Sequence, residues 1–192
     1  MKTMRFFTLI EVLAAITIIV ILSLIGFGSY SYATNTAKTA RSQALLKNLE
    51  AGLEGFCSKT NYYPGSGGVF SPVIVTLGTD KTVNRISFGG TILEDSASDP
   101  IKKTLFDNFA KAADLDQFKQ NRDKFGRLTD AWGGVIYYCA PGVFGSGNYN
   151  IISAGPNGKF SSDNADTPVG ITDVSKYRNA SGEPVCDDLF NF

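Results

Sequence analysis

From Val12 to Phe27 the chain is almost wholly apolar, and no charged residue falls between Glu11 and Lys38. Counted from Phe6 to near Gly28, the apolar stretch runs to roughly 20 residues, enough to cross a hydrocarbon core about 30 Å thick. Ile, Val and Phe occupy all faces of it, unlike the one-sided stripe of a soluble helix. The pattern then changes. Ala37, Ala40, Ala44, Leu45, Leu49, Leu53 and Phe56 recur at three- and four-residue steps, while Lys38, Arg41, Lys47, Glu50 and Glu54 take other faces. This predicts an amphipathic helix continuous with the apolar one, on the order of 75 Å long from Phe7 to Phe56 at 1.5 Å per residue. Gly26 and Gly28 interrupt it at about 1 kcal/mol each relative to Ala, marking either a segment able to bend or unwind or a place for close helix contacts. Asn61-Tyr62-Tyr63-Pro64-Gly65 ends it on a Pro-Gly turn.

The remaining residues read as shorter elements. Val73 to Val75 and Arg85 to Phe88 are strand-like runs among glycines. Asp99-Pro100 is a helix start signal, followed by Leu105, Phe109, Ala112, Leu115 and Phe118 on one face. Val135 to Cys139 and Tyr149 to Ser153 are predicted strands of a hairpin or meander. Trp132 is expected in the core. The fold class expected is α+β: a long N-terminal helix, membrane-spanning then amphipathic, packed on a small antiparallel sheet.

Composition narrows the chemistry. Lys and Arg number 18 and Asp and Glu 18, so no global charge draws nucleic acid, and none is expected as a partner. There is no histidine. With it go the commonest general base and the commonest metal ligand. Gly145-Ser146-Gly147 lacks the spacing of a nucleophile elbow, and no glycine loop ends in Gly-Lys-Ser/Thr. An enzyme is not expected.

Lys2 and Arg5 form a basic head that keeps the N-terminus cytoplasmic and sends everything after Phe27 outside. A cleaved secretory signal peptide shares that layout. Two features oppose it: Glu11 near the head of the apolar run, where a carboxylate is expensive, and Tyr-Ser-Tyr-Ala up to Ala33, a poor small-x-small cleavage site.

Phe7-Thr8-Leu9-Ile10-Glu11-Val12-Leu13 resembles the N-terminus of proteins with class III signals, the type IV pilins and the pseudopilins of type II secretion. The resemblance implies a leader of residues 1–6, a transmembrane and assembly helix over 7–28, an amphipathic continuation over 29–60 and a head over 61–192. It implies cleavage between Phe6 and Phe7 by a prepilin peptidase, then N-methylation of Phe7. The family has glycine just before the cut where this chain has Phe6. Glu11 would pair with the freed ammonium of Phe7 on a neighbouring subunit and set the axial register, since a carboxylate in low dielectric needs a positive partner. The implied partners are copies of the chain, related minor subunits, and an inner-membrane platform driven by a cytoplasmic motor ATPase. The implied location is single-pass in a bacterial inner membrane, the filament lying in the periplasm or on the surface.

Asp130-Ala131-Trp132-Gly133 looks like the Asp-x-Trp-Gly segment of major pseudopilins. Their C-terminal loop binds calcium, and the residues matching it here are Asn157, Asp163, Asp166, Asp187 and Asp188, with some two dozen inserted residues before the last pair. A solvated loop whose acids cap turns is the alternative. Of Cys57, Cys139 and Cys186, a bond between Cys139 and Cys186 is preferred, closing a loop worth on the order of 4 kcal/mol, although Cys57 is able to pair with either.

Overall fold

A computed structural model describes residues 8–144, 148–181, 183–184 and 186–191, with the side chains of 26–28 outside the description. Helix α1 spans Leu9–Thr60. The chain divides into two compact units, Met1–Ala37 and Lys38–Phe192, so α1 contributes its first part to one and its second to the other. Helicity is unbroken through Gly26 and Gly28. The helix stops where Asn61 adopts a left-handed φ of 59° and donates its N–H to Cys57 O at 2.8 Å, the αL termination that asparagine tolerates.

In the second unit six strands form one antiparallel sheet: β1 (Ser71–Leu77), β2 (Val83–Phe88), β3 (Thr91–Glu94), β4 (Ile136–Cys139), β5 (Asn150–Ser153) and β6 (Leu189–Phe190), in the order β3-β2-β1-β4-β5-β6. Leu45, Leu49, Leu53 and Phe56 of α1 are fully buried with Val73, Val75, Ile86, Phe88, Ile136 and Tyr138 of the sheet. The buried stripe begins at Ser42. Ala37, Ala40 and Ala44, read as part of it, are exposed.

The single helix expected after Asp99 is two. In α2 (Pro100–Ala112) Asp99 accepts from Lys102 N at 3.1 Å and Pro100 fills the first turn. Asp114 then caps α3 (Leu115–Gln120), and its own N–H donates to Asn48 Oδ1 at 2.6 Å, so α1 fixes the break. Phe106, Phe109 and Phe118 are buried, and Ala112 is exposed. The crossing of α1 and α2 needs glycine: a Cβ on Gly52 would stand 2.5 Å from Phe109 Cζ, and one on Gly55 2.8 Å from Asn108 O. A second cluster (Phe70, Cys139, Phe144, Ile152, Phe160 and Tyr177) lies under the C-terminal segment. The segment between Asp166 and Asp187 is anchored by the fully buried Tyr177.

Candidate functional site

The first unit presents chemistry of one kind. Twelve large apolar side chains from Leu9 to Ile25 are exposed, from 48% at Val12 to 85% at Leu9. By length and composition this helix is able to cross a membrane. Burying twelve such side chains is worth on the order of 20 kcal/mol, far more than a surface leaves unused without a partner or lipid to cover it. Phe6, Phe7 and the expected leader lie outside the described residues.

Glu11 sits three residues past Thr8, the residue before α1. Its Oε2 accepts from Thr8 N at 2.7 Å and from Thr8 Oγ1 at 2.8 Å, while Glu11 N lies 3.4 Å from Thr8 Oγ1. This is a capping box, Thr at the N-cap and Glu at N3, satisfying amide donors that the helix start leaves open. The Thr-x-x-Glu spacing was the signal for it in the sequence. It gives Glu11 a local task beside any intersubunit one.

In the head, the Asp130-to-Gly134 segment is a polar knot. Asp130, 4% exposed, accepts through Oδ1 from Trp132 N and Gly134 N, both at 2.8 Å, and through Oδ2 from Ser153 Oγ at 2.5 Å. Ala131 N donates to Ser42 Oγ at 3.0 Å, fastening the turn to α1. Trp132, expected in the core, is only half-buried: the knot holds the backbone, and the indole keeps its Nε1 out of solvent, without a partner, while part of the side chain is exposed.

The five residues matched to a calcium loop are drawn into separate bonds. Asp163 pairs with Lys176 at 3.0 Å and Asp166 with Lys159. Lysine 159 holds the Asp166 carboxyl below its usual range. Asn157 Oδ1 accepts from Lys159 N at 2.6 Å, Asp187 Oδ2 accepts from Asn157 N at 3.0 Å, and Asp188 Oδ2 accepts from Ser161 N at 2.6 Å. Calcium takes about six to eight converging oxygens. One buried oxygen, Asp188 Oδ1, has no partner, and one such atom falls short of a cage. Among the described residues no group of three His, Cys, Asp or Glu side chains is placed to hold a metal. In this arrangement the residues do not fit the ion. They act as a clasp: with β6 paired to β5, Asp187 and Asp188 tie the C-terminal tail to the loop at 157–161. Gly155, at φ 62°, lets the Asp187 carbonyl approach where any Cβ would collide. Burial pushes the Asp188 carboxyl up to about 6, with Asp187 adding to the shift.

Cys57, Cys139 and Cys186 are all free thiols here. Cys139 and Cys186 nevertheless belong to the same apolar cluster. Burial raises both, Cys186 to about 11, which keeps them protonated and poor nucleophiles.

No protein-family profile, curated protein or solved structure matches this chain.

Proposed function

We propose that this chain is a structural subunit of a type IV pilus-like filament, specifically a pseudopilin of type II secretion that builds a periplasmic pseudopilus. The observation that carries the reading is the exposed apolar run from Leu9 to Ile25 behind the Phe7-to-Leu13 motif, joined to a folded head that covers only the later part of the same helix. In the membrane the run satisfies its own backbone and meets lipid. In the filament it meets copies of itself through a repeated interface that does not close, which generates a helix of subunits. The chain acts by packing, not by catalysis. Both Thr8 bonds fall on Glu11 Oε2, so Oε1 is the oxygen offered to the ammonium of a neighbouring Phe7. The same reading covers a surface pilin serving adhesion, motility or DNA uptake. The Asp130 knot, seated where the resemblance to major pseudopilins falls, supports the periplasmic form.

Phe6 favours a second reading, a monomeric membrane-anchored binding protein, because a bulky residue before the cut opposes close backbone approach in a peptidase site. Mass spectrometry of the mature N-terminus separates them. N-methyl-Phe7 is the expected result, and an intact Met1 would return the chain to an anchor. Glu11→Val is expected to lower filament yield and order in electron micrographs. Normal filaments from that variant would remove the register role.

A further inference from the structure

We propose that the end of the head bound to residues 38–42 of α1 is a docking face for anionic lipid headgroups. The inference rests on the membrane-spanning reading of the first unit. Two bonds define this end: Arg41 Nη2 donates to Asn121 Oδ1 at 2.8 Å, and Ser42 Oγ accepts from Ala131 N at 3.0 Å. Residues around 121 and 131 are thereby fastened to one turn of the helix. Lys38, Arg41, Lys119 and Arg122 are exposed on these segments. The acid within them, Asp130, is buried and engaged by Trp132 N, Gly134 N and Ser153 Oγ. Of nearby acids, Asp80 faces Lys119 and Asp123 is paired with Arg127 at 2.7 Å. Asp114 and Asp116 stand exposed at the opposite, N-terminal end of α3, so in a chain of zero net charge the exposed side chains beside Arg41 and Asn121 are mainly basic.

Chain order supplies the partner. After the apolar run come Tyr30 and Tyr32, 71% and 76% exposed, and then Lys38 and Arg41. Tyrosines just past an apolar span suit the interface on either side of a membrane, and basic residues beyond them stand where anionic headgroups would attract them. Basic residues within about 15–20 positions of a span also weigh against the orientation set by Lys2 and Arg5, so their presence on the trailing side calls for a use there. Phosphate headgroups supply one. Trp132, half-buried on the turn held by Ser42 with its Nε1 out of solvent, would sit beside the docked face and sense its cover through the exposed part of the side chain.

Trp132 is the chain's single tryptophan and reports on this directly. The full chain is reconstituted in vesicles of phosphatidylcholine alone or with phosphatidylglycerol, and acrylamide quenching of Trp132 is measured, with bilayer insertion scored separately by flotation and carbonate extraction. Protection is expected with the anionic lipid and is expected to fall at high salt. Lys38→Gln, Lys119→Gln and Arg122→Gln together are expected to abolish it, at roughly five-fold in docked fraction per charge, while the head's melting temperature holds. Arg41 is kept because it binds Asn121. Equal quenching in both lipids, with the chain inserted, would overturn the inference. So would protection that tracks protein density in neutral vesicles, which would assign the face to another subunit. Failure to insert would instead defeat the membrane reading on which the inference stands.

Discussion

The two parts of α1 solve opposite problems with the same backbone. From Leu45 to Phe56 the large apolar side chains have partners within the chain, and Leu49, Leu53 and Phe56 are wholly buried. From Leu9 to Ile25 none of the large apolar residues is buried. Periodicity accounts for the contrast. A helix apolar on one stripe is matched to a sheet, whereas one apolar on all faces is matched to a solvent or to a ring of neighbours. The head is thus a domain able to stabilise itself, and the leading segment takes its stability from what it is put into.

Substitutions sharpen that division. Phe56→Ala should cost the head about 3–5 kcal/mol in chemical denaturation, while Ile18→Ala should leave the head's transition unchanged; an equal loss from both would erase the division. Asp130→Ala strips three donors of their acceptor and is expected to cost about 3 kcal/mol, with loss of the near-ultraviolet signal of Trp132. The clasp adds a dependence on pH. Asp188 has a folded-state pKa of about 6, above its usual 3.8, so the native head binds this proton more tightly than the unfolded chain. Its contribution is fully present below about pH 3.8 and is lost as pH rises to about 6, a fall of about 3 kcal/mol. Asp188→Asn should flatten that limb and raise stability at pH 7. Unchanged pH dependence in the variant would move the titration elsewhere, with Glu50, also raised by burial, the first alternative. Least of all, Thr8→Ala breaks the capping box and should cost about 1 kcal/mol, seen as fraying of the first turn with no effect on the head.

Much of this was legible in the chain. The apolar run, the helix end near Asn61, the start at Asp99-Pro100 and strands β1, β2, β4 and β5 are written in local pattern, and the described elements follow them within a few residues. What escaped was decided by distant partners. The break between α2 and α3 depends on Asn48, sixty-six residues earlier in the chain. Strand β3, four residues long, exists because β2 offers an edge. The alanines at 37 and 40 fit the helical period, but the head begins its cover only where Arg41 and Ser42 bind Asn121 and Ala131, and Ala44, within the covered stretch, stands exposed. In the C-terminal loop the acids are where an acidic loop was expected, yet Lys159, Lys176 and the amides of Asn157 and Ser161 engage them, and no local motif announces those pairings.

The most direct measurement compares the natively processed chain with one in which residues 9–25 are replaced by an unrelated membrane span of equal length, both expressed with the assembly machinery and examined by electron microscopy. The account expects ordered filaments from the first, and from the second an inserted chain with a folded head and no filaments. Filaments of equal yield from the replaced span, or a processed native chain that stays single, would contradict it.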